Sequence, residues 1–142
     1  MSDPINNIGK IFTSLEKYYD TRARKIKVKA RPVLVIGFED DCPNPMSIDY
    51  EILPISTLKQ RLPHPKHDIH IDSGLKNKLG LNEECYIRTH KTSWSNVKNM
   101  RIESPVGNLK NEEYELFKET VMLNREWVVD RTNYRLEEEA HQ

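Results

Sequence analysis

Cations, hydroxyls and imidazoles recur near the ends of the apolar segments in the middle of this 142-residue chain. Arg31 precedes an aliphatic run, and Ser56 and Thr57 end the next apolar segment. These residue types suit phosphodiester cleavage without a metal, because a guanidinium can neutralise the extra negative charge of a phosphorane through two hydrogen bonds. Candidates for further contacts with a phosphodiester backbone follow along the chain: Lys59, His67, His70, His90 and Lys91.

Such a cleavage requires two proton transfers, one from the attacking hydroxyl and one to the leaving oxygen, and histidine can perform both. Without a metal-activated water, the handiest nucleophile is the 2′-OH of RNA. Its attack gives 2′,3′-cyclic phosphate and 5′-OH ends and excludes DNA as a substrate. The residues also have an ordinary structural interpretation, with Arg31 as a solvated charge and Ser56 and Thr57 as a turn-capping pair.

Other chemistries have less support in the sequence. His67 and His70 are three residues apart, which on a strand places them on opposite faces, so we expect no metal site and no cofactor. Cys85 lies within an apolar alternation and is expected in the core. The chain contains no GxGxxG, GxxxxGK or GxSxG motif, which argues against dinucleotide-binding, P-loop and α/β-hydrolase enzymes.

Composition sets the broad class. The chain has 22 basic and 22 acidic residues, so no global positive field indicates a nucleic-acid binder. The charge is nevertheless uneven, with a basic middle and an acidic C-terminal third, which favours a local positive surface. The longest aliphatic run, Val33 to Ile36, is too short to span a bilayer. Charged residues interrupt the first twenty positions, so we expect no secretory signal there. With only two cysteines, we expect a soluble cytoplasmic protein with reduced thiols and no membrane partner.

Hydrophobic periodicity predicts the elements that position these residues. Apolar residues from Ile8 to Tyr19 recur at helical spacing, which predicts an amphipathic N-terminal helix over residues 6–20. Residues 25–29 alternate between lysine and aliphatic side chains, which is typical of a half-exposed strand. Arg31-Pro32 is interpreted as an edge, a bulge or a strand start, because proline lacks a backbone donor. Residues 33–36 then read as a buried strand.

Short strands continue to the C-terminal third of the chain. Strands are predicted over 48–55, 67–72, 85–89 and 97–102, with a helical turn near 75–81 and a final helix capped by Asn111. Their connections are too short for parallel crossovers. We therefore predict a mainly β (α+β) single domain over 1–142. It consists of the N-terminal helix over 6–20, a small, strongly bent β-barrel with a C-terminal helix over 25–127, and an acidic tail over 128–142.

Several motifs resemble those of the MazF/PemK family of toxin endoribonucleases, in order and spacing. Ala30-Arg31-Pro32 is followed by four aliphatic residues, and a later strand ends in Leu53-Pro54-Ile55-Ser56-Thr57. Val106-Gly107-Asn108-Leu109 then leads into Asn111-Glu112-Glu113-Tyr114, which resembles the family's entry to its last helix. The similarity spans roughly residues 30–123.

The resemblance implies an SH3-like or CcdB-like barrel, a homodimer that cleaves single-stranded RNA (mRNA), and an antitoxin protein as partner. Arg31 resembles the family's catalytic arginine. Ser56 resembles its catalytic hydroxyl, usually a threonine, and Thr57 is the alternative if the register differs by one. His90 and Lys91 match a polar pair on the groove wall. The chain departs from the family before Arg31, where members usually have a Gly-Asp strand and a glycine-rich loop.

Two hypotheses follow. The first is a cytoplasmic, metal-independent endoribonuclease toxin of a toxin–antitoxin system. The second is a non-catalytic SH3-like binding module that contacts RNA or a partner protein, since small barrels host many functions. The predicted N-terminal helix either packs on the barrel or contacts a second copy or an antitoxin.

Overall fold

The computed structural model describes residues 3–41 and 44–141. Within these residues the chain forms seven β-strands and three α-helices. The strands are β1 (Lys10–Asp20), β2 (Lys25–Phe38), β3 (Asp49–Ser56), β4 (Asp68–Ile71), β5 (Cys85–Arg88), β6 (Ser93–Asn96) and β7 (Gly107–Asn108). The helices are α1 (Ser73–Lys78), α2 (Leu109–Glu112) and α3 (Tyr114–Ala140). No helix in this part of the chain is long and apolar enough to cross a membrane.

All strand pairs are antiparallel, and the sheet order is β4-β5-β3-β2-β1-β7. Strand β3 pairs with β6 over Asp49–Ile52 and with β5 at Ile55 and Ser56, so its outer edge is shared by two strands. The result is a mixed α+β fold dominated by a strongly curled antiparallel half-barrel, with a C-terminal helix. The prediction of a mainly β, strongly bent sheet followed by a helix is confirmed at this level.

Two hydrophobic clusters form the core. One includes Ile11, Leu34 and Leu53 and packs under Phe117 of α3. The other includes Phe12, Val33 and Ile52. Because neighbouring residues of a strand point to opposite faces, these clusters lie on the two sides of the sheet. The middle strands are therefore buried on both faces.

The predicted N-terminal helix over residues 6–20 is wrong. Lys10–Asp20 is a strand that pairs with β2 from Ile11 to Asp20. Ile11 and Phe12 are adjacent and both fully buried, one in each cluster. The start of β1 is buried on both faces and therefore has consecutive apolar residues. Together with the exposed Leu15, Tyr18 and Tyr19 of its outer part, they imitate helical spacing.

Of three smaller predictions, the strand over 97–102 is wrong and the other two gain detail. The acidic tail over 128–142 is helical up to Ala140, because α3 continues without a break. The strand predicted over 97–102 is a short 3₁₀ turn at Val97–Asn99, and the strand itself lies earlier, in β6. Pro32 lies inside β2 opposite Thr13, not at a strand start. Pairing of β2 with β3 starts only at Val33, so Pro32 lies at a local edge of the described sheet, which is one of the three alternatives that the sequence left open.

Candidate functional site

A cavity of about 460 Å³ lies beside the strand segments that end the β2–β3 ladder. Arg31, Ser56 and Thr57 all line it, together with Lys29 and Glu83. The two sequence motifs that suggested phosphodiester chemistry are 25 positions apart along the chain and meet here. This cavity is therefore the candidate functional site.

Arg31 and Ser56 both line the cavity, and alternation along each strand gives them the same face of the sheet. The β2–β3 ladder itself ends at Val33 opposite Pro54. Arg31 belongs to the face of Val33 and Ser56 to the face of Ile52, which is the side of the second cluster. Thr57 belongs to the other face, that of the first cluster. The geometry therefore favours Ser56 over Thr57 as the hydroxyl that acts with Arg31.

The Nε atom of Arg31 is buried and has no hydrogen-bond partner in the described protein. Buried donors are nearly always paired, because an unpaired one loses its hydration without compensation. No carboxylate forms an ion pair with Arg31 among the described residues. An uncompensated guanidinium at a cavity is suited to bind an anion that comes from solution.

Ser56 is placed with its hydroxyl hydrogen available. The backbone N–H of Leu58 donates to Ser56 Oγ at 3.3 Å, so this oxygen accepts within the chain and its hydrogen can still be donated. Leu58 has a φ of +53°, the left-handed region that residues other than glycine rarely adopt. Strained residues of this kind cluster at functional sites.

A polar row continues from Ser56 across the sheet. Ser56 is opposite Tyr86 on β5, and Tyr86 is opposite His70 on β4. The rings of His70 and Tyr86 stack with centroids 5.0 Å apart. His70 is exposed and lies 3.6 Å from Glu84. By strand spacing, His70 lies about 10 Å from Ser56, on the same face of the sheet.

Tyr86 was not among the predicted site residues. The signal was present in the alternation of Cys85-Tyr86-Ile87-Arg88, where the residues between buried positions must face outward. An aromatic ring beside a candidate phosphate site offers a surface on which a nucleotide base can stack.

The two lysines predicted to contact RNA lie in different places. Lys59 is exposed near the cavity, and its Nζ is 3.9 Å from Glu83, which lines it. Lys91 is exposed in the turn after β5, away from the residues that line the cavity.

His67 and His90 do not reach the cavity. With His64 they form a cluster of three imidazoles, with ring centroids 4.9–5.8 Å apart, that packs against Trp127 of α3. His67 is buried, and the His90 side chain is only 7% exposed. Burial lowers the pKa of His67 below its usual value and lowers that of His90 to about 4, so both rings are neutral at neutral pH. Neither ring is placed to attract phosphate.

Charged residues surround this histidine cluster. Asp68 is fully buried, accepts from Arg88 Nε at 3.1 Å and also accepts from the backbone N–H of His64 at 2.7 Å. Lys66 pairs with Glu126 of α3 at the surface. No group of three or more His, Cys, Asp or Glu residues in the described ranges is arranged to hold a metal ion.

Cys85 lines the same cavity as Arg31 but is buried in the first hydrophobic cluster. Burial, with a smaller contribution from the charge of Glu83, raises the pKa of its thiol to about 11. A thiol of this pKa is protonated at neutral pH and is a poor nucleophile. Cys42 lies outside the described residues.

Comparison with known proteins adds no family assignment. No protein-family model matches the chain, and no curated protein matches it in sequence. The functional interpretation therefore depends on the geometry of the cavity and on the motifs quoted above.

Proposed function

We propose that the chain is a metal-independent endoribonuclease that cleaves single-stranded RNA at the cavity beside Arg31 and Ser56, in the manner of MazF/PemK toxins. The observation that carries the proposal is the guanidinium of Arg31, which lines a cavity shared with Ser56 and keeps a buried Nε without a partner. The curled sheet and C-terminal helix are compatible with the SH3-like or CcdB-like barrel that the resemblance implies. A homodimer and an antitoxin partner belong to the same proposal.

In the proposed reaction, the 2′-oxygen of RNA attacks the adjacent phosphorus and the bond to the 5′-oxygen breaks. The attacking hydroxyl loses its proton, and the 5′-oxygen gains one and leaves as a hydroxyl. Arg31 stabilises the phosphorane charge, and Ser56 donates its hydroxyl hydrogen to a phosphate oxygen. Tyr86 and His70 contact a neighbouring nucleotide, because strand spacing puts them beyond the phosphate held at Ser56.

The proposal is tested with a long unstructured RNA in the presence of a chelator. We expect cleavage that does not respond to the chelator and leaves 2′,3′-cyclic phosphate and 5′-OH ends, mapped by end-specific labelling. Loss of cleavage in chelator with recovery on addition of metal would contradict the metal-free mechanism. Binding of RNA with no cut ends would instead favour the non-catalytic binding module.

A pair of single substitutions tests the assignment of Ser56 to the face of Arg31. Ser56→Ala is expected to reduce the cleavage rate by roughly a hundredfold, because it removes one donor to the charge that develops on the phosphate. Thr57→Ala is the matched control and is expected to change the rate by less than about threefold. Single-turnover rates at saturating protein provide the measurement. A larger loss in Thr57→Ala than in Ser56→Ala would show that the face of the sheet does not decide the hydroxyl.

A further inference from the structure

The outer part of the β1–β2 hairpin, residues 15–30, forms a two-stranded ribbon. The two strands pair without a break as far as Asp20 opposite Lys25. Among the described residues no third strand pairs with this part, since β7 pairs only with Lys10 and Ile11, and the pairing of β2 with β3 starts at Val33. No residue of the ribbon is buried. The fold therefore extends this segment into solvent beyond its two cores.

The ribbon is strongly basic although the chain is neutral. It contains six Lys or Arg residues and two acidic residues, Glu16 and Asp20, which gives a net charge of +4. Lys27 forms an ion pair with Asp20 at 2.9 Å. Lys25 and Lys29 form no ion pair in the described part of the chain. Unpaired cations on an exposed ribbon attract anionic polymers such as RNA.

Alternation divides the ribbon into two different faces. Paired residues share a face, so Lys29 with Glu16 and Lys27 with Tyr18 belong to the face of Arg31. We call Lys25, Lys27, Lys29 and Arg31 the basic row. The opposite face is mostly apolar and exposed, with Ile26 at 69% exposure. The four cations thus form one line that ends at the candidate catalytic arginine.

We propose that the basic row binds successive phosphates of a single RNA strand and leads that strand to the cavity. Alternate residues of a strand are about 6.8 Å apart, which is comparable to the distance between phosphates in an extended single strand. Lys29 and Arg31 already line the cavity, so the row is continuous with it. Tyr18, opposite Lys27 and partly exposed, offers a ring for base stacking. The assignment of the cavity rests on the proposed function, whereas binding along the row is measured independently of cleavage.

The experiment uses the full chain and a 2′-O-methyl oligoribonucleotide of about 16 nucleotides, which 2′-OH attack cannot cleave. Lys25→Gln/Lys29→Gln removes two unpaired cations from the basic row. Lys17→Gln/Arg22→Gln removes the same charge from the opposite face and the turn, and serves as the matched control. Dissociation constants are measured by fluorescence anisotropy over a range of salt concentrations.

We expect the row variant to weaken binding roughly five- to tenfold and to reduce the slope of log K against log salt by about 1.4, as expected for two lost phosphate contacts. The control is expected to change affinity by less than about twofold. Equal effects of the two variants, or no binding of the oligonucleotide by the wild type, would overturn the proposal. A last outcome separates the two proposals. If Lys25→Gln/Lys29→Gln weakens binding but the wild type does not cleave unmodified RNA, the nuclease proposal is wrong and RNA binding along the basic row is supported.

Discussion

Replacing Arg31 with alanine is expected to reduce RNA cleavage by about a thousandfold or more, without loss of thermal stability. The rate falls because one guanidinium accounts for most of the positive charge aimed at the phosphorane in the proposed site. Stability is kept because the buried Nε of Arg31 has no partner in the part of the chain that the structure describes. Removing a donor that is buried but unpaired abolishes a desolvation cost and breaks no hydrogen bond made by that atom.

Two companion variants make this result specific. Arg31→Lys keeps the charge but loses the planar guanidinium that can donate two parallel hydrogen bonds to a phosphate. We therefore expect it to recover only a small part of the cleavage rate. Arg88→Ala is the structural contrast, because Arg88 pairs with the fully buried Asp68. It is expected to lower the free energy of unfolding by about 3 kcal/mol, since a buried carboxylate loses its cationic partner and keeps only the hydrogen bond from the backbone of His64. Single-turnover cleavage rates and thermal melting are measured for all three variants. Full cleavage by Arg31→Ala would remove Arg31 from the mechanism.

The sequence patterns that correctly predicted parts of the site are alternations of side chains within a single strand. Alternation identified residues 25–29 and 85–89 as strand segments, and both are confirmed within β2 and β5. The expectation that His67 and His70 point to opposite faces also agrees with the structure, because His67 is buried and His70 is exposed. The two clusters add what alternation lacks: they assign Ser56, and not Thr57, to the face of Arg31.

What the sequence could not supply depends on contacts between distant segments. The helical spacing from Ile8 to Tyr19 combines Ile11 and Phe12, which enter two different cores, with apolar residues of the exposed outer hairpin, and no local pattern separates that case from a helix. The histidine cluster requires the pairing of β4 with β5 and the arrival of Trp127 from α3. Tertiary structure thus buries His67 and His90, two of the three histidines that the sequence predicted to contact RNA.

This histidine cluster leads to the second large effect, a loss of stability in weak acid. His90 has a pKa of about 4, chiefly because burial disfavours its charged form and only partly because of the cations Arg88 and Lys91, while Asp68 acts in the opposite direction. Burial and the nearby His64 and Lys66 also lower the pKa of His67, against the opposing charges of Glu126 and Asp68. In the unfolded chain both rings have a pKa near 6.5. Between these values the unfolded chain binds more protons, so stability decreases as the pH decreases.

The shift of His90 alone corresponds to about 3 kcal/mol of stability that is present above pH 6.5 and is lost as the pH falls towards 4. His67 contributes in the same direction. Urea unfolding followed by tryptophan fluorescence, at intervals between about pH 7.5 and about pH 4.5, measures the slope, because the rings of His67 and His90 contact Trp127.

His90→Phe separates the effect of this cluster from general acid unfolding. Phenylalanine keeps a ring against Trp127 and cannot be protonated. It removes an Nδ1 atom that has no hydrogen-bond partner among the described residues and an Nε2 atom that lies 3.5 Å from Arg88 Nη2. We expect this variant to lose most of the pH dependence above about pH 5.5, where most carboxylates are ionised. His70→Gln alters an exposed ring and is expected to retain the wild-type slope. An unchanged slope in His90→Phe would mean that the buried imidazoles do not control the stability of the contact between α3 and the sheet.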